Sequence, residues 1–140
     1  MGKNKLAKFE ENKTFTHVIE PSLDTYLKRD HELKGKWHKE VFGNNNPLVL
    51  ELGCGKGEYA VNLAKKHPEK NFLGIDIKGA RIWKGAKISD QEQIKNVYFL
   101  RTRIEFLDHF FATNEVSKIW ITFLDPQRKK RRRKKRMTHT

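Results

Sequence analysis

The chain reads as an α/β fold built on a parallel sheet with helices on both faces. Three observations carry that reading. Apolar runs of strand length recur at Leu48–Leu52, Asn71–Ile75, Val97–Leu100 and Lys118–Phe123. Helix-like segments separate them at Gly57–Lys66, Gly79–Gln91 and Ile104–Phe111. The first run opens into a glycine-rich loop, Glu51-Leu52-Gly53-Cys54-Gly55-Lys56-Gly57, and the later runs end at carboxylates, Asp76 and Asp125. Strand–helix alternation with short loops is the pattern of a parallel sheet. Ligands of such sheets bind outside the carboxyl ends of the strands.

The first 46 residues are polar and mixed, and we take them as an N-terminal extension (1–46) before the sheet domain (47–125) and a basic segment (126–140). Pro21 interrupts the extension, and Ser22 is placed to cap a helix running toward Glu40, with Gly35 as its weak point. Asn44-Asn45-Asn46-Pro47 reads as the turn that closes it. In the segment after Asp76, Lys78, Arg81, Lys84 and Lys87 line one side of a helix opposite Ile82, Trp83 and Ala86, a pattern that a solvated charged face explains. Phe106, Leu107, Phe110 and Phe111 at helical spacing read as core, as does Trp120 inside the fourth run.

Only 36% of the 140 residues are hydrophobic, and the mean hydropathy is −0.82. No apolar run approaches the ~20 residues of a membrane span. The N-terminus lacks the apolar core of a secretory signal, which points to the cytoplasm. The single cysteine, Cys54, rules out an internal disulfide; between two glycines it reads as a small residue filling a tight loop. The net charge is +13. Nine cations, Arg128 to Arg136, are consecutive; the other 21 basic residues exceed the 17 acids by four. A run this dense suits a polyanion, and taken alone a solvated tail explains it equally well.

The loop has the spacing GxGxG rather than the GxGxxG of dinucleotide sites, and Glu51 and Glu58 flank it. Those acids disfavour a pyrophosphate and favour a cationic ligand, such as the sulfonium and amino group of S-adenosylmethionine, by Coulomb attraction. Asp76 lies 19 residues after Gly57 at a strand end, placed to accept hydrogen bonds from both ribose hydroxyls. A nicotinamide-dependent oxidoreductase fits this loop, its acids and the basic run less well.

The blocks ELGCGKGEYA, FLGIDIKGARIWKGAK, LRTRIEFL and ITFLDPQRKKRRRKKRMTH, in this order and spacing, resemble the bacterial tRNA (guanine-N7-)-methyltransferase family. The resemblance runs from about Phe42 to His139. It implies a Rossmann-like class I methyltransferase sheet that transfers a methyl group from S-adenosylmethionine to N7 of a guanine in tRNA, without a metal or a membrane. It also implies roles residue by residue. Glu51, Gly53, Gly55, Gly57 and Asp76 would hold the cofactor. The stretch Arg101-Thr102-Arg103 falls beside its adenine, with Arg103 taken as the contact and the choice within the stretch open; many members carry an acid there and this chain does not. Asp125 would sit between cofactor and guanine as the catalytic residue, although Leu124 stands where a proline usually precedes it. Lys129, Arg131, Arg132, Arg133, Lys134, Lys135 and Arg136 would contact substrate and RNA.

The family's members continue past the position of Thr140, so the chain is expected to be truncated on its C-terminal side. Its fourth strand would then be an apolar edge, open to dimerisation. The alternative function is accordingly an inactive fragment that still binds cofactor or RNA.

Overall fold

The computed structural model describes residues 2–54 and 58–121, with side chains from residue 5 onward. Five strands form one sheet: β1 (Val18–Ile19), β2 (Leu48–Leu52), β3 (Asn71–Asp76), β4 (Val97–Arg101) and β5 (Lys118–Ile121), in the order β1-β4-β3-β2-β5. All neighbours run parallel. The runs read from sequence as strands are strands. The fourth is described as far as Ile121, and residues 122 and 123 lie outside the described part.

Every residue of β2 and β3 is buried, as expected for central parallel strands covered on both faces. Alternation divides them between two cores. Val49, Phe72, Val97 and Phe99 face α3 (Glu58–Lys66) and α4 (Gly79–Gln91), meeting Ala60, Val61, Ala64, Ile82 and Ala86. Leu48, Leu50, Leu52, Leu73, Ile75 and Leu100 face the other way, onto Trp37 and Phe110. Phe106, Leu107 and Phe111 pack beside Phe110 in this second core, as their spacing predicted. The helix expected over Ile104–Phe111 is a 3₁₀ helix, Ile104–His109, with Phe110 at its C-cap and Phe111 beyond it.

The extension is built into both faces. Helix α1 (Gly2–Asn12) lies on α4: the Asn12 side chain donates to Gly79 O (2.8 Å), and Glu11 accepts from Trp83 Nε1 (2.8 Å) and from Lys87. Strand β1 adds to the edge at β4. The helix predicted from Ser22 toward Glu40 is shorter than expected. Helix α2 spans Leu23–Lys28 and ends where Arg29 turns left-handed (φ 55°). Ser22 occupies the cap position without a side-chain cap bond. Gly35, at φ +79°, then reverses the chain into a separate π-helical turn, Trp37–Phe42.

That turn is fixed by Glu115. Its buried carboxylate accepts Gly35 N (2.8 Å), Ala112 N (2.9 Å) and Trp37 N (3.0 Å), and Trp37 Nε1 donates to Phe110 O (2.7 Å).

Trp120 is not core. It is 37% exposed, because β5 is the outer strand of the described sheet. Lys118 lies over its ring (4.7 Å) and Tyr59 of α3 meets it edge-on (6.0 Å). No helix among the described residues is long and apolar enough to cross a membrane.

Candidate active site

The strand order reverses at β2, which has β3 on one side and β5 on the other. The carboxyl end of β2 is therefore the topological switch point, where a crevice opens because successive helices leave in opposite directions. Glu51, Gly53 and Cys54 lie there.

Alternation sets which side chains converge. Glu51 is two residues on from Val49, and Asp76 is four on from Phe72, so both carboxylates point to the α3/α4 face. Both are withdrawn from solvent, Glu51 at 3% exposure and Asp76 at 6%. Burial first, then the charges of Asp76 and Glu51, push the Cys54 thiol well above its usual range. Two carboxylates therefore act on one small volume beside the loop. The thiol is buried and held in its protonated form, so it fills space and is no nucleophile.

Two glycines make this geometry possible, for different reasons. Gly53 has φ +63°, and a Cβ there would meet nothing within 4 Å, so its need is for a backbone turn. Gly74 stands opposite Glu51 on β3. A Cβ at Gly74 would lie 2.9 Å from Phe99 Cδ1 and 3.2 Å from Cys54 Cβ. Its missing side chain is what lets the loop after β2 settle onto the sheet, where Cys54 N donates to Ile75 O (3.0 Å).

Asp76 ends β3 with Oδ1 accepting Lys78 N (2.9 Å) and Oδ2 3.8 Å from Arg81 Nη1. The turn that follows is held by its carbonyls. Thr102 N donates to Asp76 O (3.1 Å), Arg101 Nε to Ile77 O (2.9 Å) and Asn12 Nδ2 to Gly79 O (2.8 Å). Thr102 is in turn hydrogen-bonded through Oγ1 to Tyr26 OH (2.9 Å).

Two residues at this edge escaped the sequence reading. Ile77 and Ile104 follow the ends of β3 and β4, and each is 47% exposed. For Ile77 the available signal was an apolar residue directly after a strand-end acid; Ile104, three residues beyond the end of β4, carries no such signal. Adjacent strand ends thus present a carboxylate and two apolar surfaces, which suits a ribose carrying a flat base. Arg103 is exposed at the same edge, 3.9 Å from Glu105. Gly55, Gly57, Asp125, Lys129 and Arg131 to Arg136 lie outside the described residues. In the cationic stripe of α4, Lys87 is paired with Glu11 and Arg81 lies beside Asp76, while Lys78 and Lys84 stay exposed.

Comparison with known proteins agrees with this architecture. The profile of a family described as "Putative methyltransferase" matches residues 45–140. The tRNA (guanine-N(7)-)-methyltransferase of Christiangramia forsetii is 59% identical over 138 residues, which are 99% of this chain and 62% of that protein. The protein of the same name from Bacteroides fragilis is 56% identical over 140 residues, 100% of this chain and 55% of its own length. That of Clostridium acetobutylicum is 40% identical over 109 residues, 78% of this chain and 51% of its own. The chain therefore spans between half and two-thirds of the length of these relatives. A solved antibiotic-related methyltransferase superposes with a TM-score of 0.51 over 65% of this chain and 48% of its own, at 19% identity, a likeness of fold alone. With the profile spanning the whole sheet from β2 onward, the chain belongs to this methyltransferase family.

Proposed function

We propose that the chain supplies the cofactor-binding half of an enzyme that transfers a methyl group from S-adenosylmethionine to N7 of a guanine in tRNA. The observation that carries this reading is the convergence of Glu51 and Asp76 on one face at the switch point, both buried, around a glycine turn. The residues present fit the cofactor. Asp76 is placed for the ribose hydroxyls, Ile77 and Ile104 for the two sides of the adenine, and Glu51 for the cationic amino-acid end. Gly53, with Gly55 and Gly57, lets the backbone approach it. Arg103 is assigned beside the adenine edge, in place of the acid of other members.

When bound, the cofactor supplies an electrophilic methyl group on a sulfonium. The N7 of guanine is an exposed lone-pair acceptor and is unprotonated at neutral pH, so no general base is required. The protein's contribution is alignment and exclusion of water. The methylated purine is cationic, and a carboxylate at the end of the β5 run, Asp125, is assigned to stabilise it. Lys129 and the run from Arg131 through Arg132, Arg133, Lys134 and Lys135 to Arg136 are assigned to substrate and RNA phosphates, with salt-sensitive affinity as their mark. A tRNA substrate places the reaction in the cytoplasm. Ile119 and Trp120 on the β5 edge are 52% and 37% exposed. This edge is assigned to further strands of a longer protein, giving a monomer, or to a second copy, giving a dimer.

The test is calorimetric titration of the 140-residue chain with S-adenosylhomocysteine and with NADH, followed by incubation with labelled S-adenosylmethionine and unmodified tRNA. Asp76→Ala removes hydrogen bonds to a charged acceptor, worth about 1.5–3 kcal/mol, and is expected to weaken S-adenosylhomocysteine by roughly 10- to 100-fold. Binding of NADH in preference would overturn the reading. Cofactor binding without transfer to tRNA would assign this chain the role of a binding fragment.

A further inference from the structure

We propose that Arg101 is a positioning residue for the ribose site: it fixes the turn from Asp76 to Gly79 and couples that turn to the N-terminal extension. The proposal rests on the cofactor reading above. Asp76 and Arg101 are direct partners in the parallel register of β3 and β4. Alternation from Val97 and Phe99 puts Arg101 on the α3/α4 face, the same face as Asp76. Its guanidinium reaches over the turn beyond Asp76 and contacts three separate segments. Nε donates to Ile77 O (2.9 Å), Nη1 to Glu20 Oε2 (3.3 Å), and the guanidinium carbon lies 5.1 Å from the centre of the Phe9 ring.

Each contact uses a different property of the group. The bond to Ile77 O needs an N–H in the fork, the bond to Glu20 needs a charge, and the stacking on Phe9 needs a flat cation. A lysine satisfies at most one of the polar contacts at a time. The space is also specified: a Cβ at Gly79 would lie 3.1 Å from Phe9 Cε1 and 3.4 Å from Arg101 Cζ. Gly79 begins α4, so ring, guanidinium and helix start are in mutual contact.

The consequence concerns the Asp76 carboxylate. Its Oδ1 is tied to Lys78 N, a backbone group inside the braced turn. If the turn moves, the carboxylate rotates with it. Three of the braces come from the extension: Phe9, Asn12 and Glu20. Preorganisation of this kind raises affinity by lowering the ordering cost on binding, without touching the ligand.

The experiment compares S-adenosylhomocysteine with its 2′,3′-dideoxyribose analogue by calorimetry on the 140-residue chain, using wild type, Arg101→Lys, Arg101→Ala and the milder Phe9→Leu. Arg101→Lys and Arg101→Ala are expected to weaken S-adenosylhomocysteine by about tenfold and Phe9→Leu by about threefold. The analogue, which cannot use Asp76, is expected to bind all four proteins alike. Equal losses for both ligands would show a general structural role and overturn the proposal, as would unchanged affinity for S-adenosylhomocysteine. The Asp76→Ala control separates the two levels of argument. If it weakens binding while the Arg101 variants do not, only the positioning role falls. If wild type does not bind S-adenosylhomocysteine, the cofactor reading falls and this role with it.

Discussion

Gly74→Ala tests whether the absence of one side chain in the middle of β3 shapes the cofactor loop. The added Cβ would sit 2.9 Å and 3.0 Å from two carbons of the Phe99 ring and 3.2 Å from Cys54 Cβ. Ordinary carbon contacts begin near 3.5 Å, so the ring must retreat by about half an ångström. Phe99 is fully buried and cannot swing into solvent. Overpacking of a filled core costs about 1–3 kcal/mol. Losing glycine from the unfolded chain returns about 0.4–1 kcal/mol. The net expectation is destabilisation of about 1–2 kcal/mol, measured as a shift of the urea midpoint at constant slope. The clash also presses on Cys54, next to Gly53, so affinity for S-adenosylhomocysteine should fall together with stability. Gly74→Ala combined with Phe99→Leu, which shortens the obstructing ring, should recover part of both. A single variant as stable as wild type would refute the reasoning. So would a double variant whose losses simply add, since residues in contact are expected to couple.

Two further outcomes concern the extension. Glu115→Ala leaves the backbone N–H groups of Gly35, Trp37 and Ala112 without their carboxylate acceptor; at about 1 kcal/mol or more for each, urea unfolding should show a loss of about 3 kcal/mol, and a loss under about 0.5 kcal/mol would mean the carboxylate is not what holds the Trp37 turn. Burial holds His31 below the ordinary histidine range, against the opposite pull of Glu32 and Asp30. Its Nδ1 accepts Leu33 N (3.1 Å), a bond available only to the neutral ring. The unfolded chain therefore takes up this proton more readily, so the contribution is intact above the ordinary histidine pKa of about 6.5 and is lost as pH falls from there. The stability slope over pH 7.5 to 5 should flatten in His31→Asn, and an identical slope would remove His31 from the account.

The sheet and the acids at its carboxyl edge were legible because each rests on a local pattern. Leu48–Leu52, Asn71–Ile75 and Val97–Leu100 are apolar runs closed by glycine or by charge, and α4 matches its expected span at both ends. What was missed depends on partners distant in sequence. Strand β1 is two residues long and exists because Phe99 N donates to His17 O and Val18 faces Phe99 across the ladder. Helix α1 carries few apolar residues and is held mainly by polar groups, Asn12 on Gly79 O and Glu11 on Trp83. No periodicity announces such contacts. Trp120 was misplaced for the converse reason. An apolar run shows that a strand is present, but not that both of its faces are covered. At the site, the stretch Arg101-Thr102-Arg103 was marked only for a contact with the adenine, and no local pattern announces that the Arg101 side chain reaches Ile77 O and Glu20.

The placement of charge resolves a conflict that composition alone leaves open. A protein with net charge +13 should repel a sulfonium and attract RNA. Here the carboxylates that face the cofactor edge are withdrawn from solvent, at 3% and 6% exposure, where screening is weak and short-range attraction is strong. Lys78 and Lys84, by contrast, stand in solvent on α4, and the field of such exposed charges decays over about 8 Å at physiological salt. In the proposed function, a cationic cofactor at the sheet edge would respond chiefly to Glu51 and Asp76, and a phosphate backbone approaching from outside would respond to the exposed cations. Among the described residues, the two strand-end acids are buried while Lys78 and Lys84 are exposed. The extension reaches the same edge: α1 covers α4 and the start of the Asp76 turn through Asn12 on Gly79 O and Glu11 on Trp83, while Lys78 and Lys84 stay exposed.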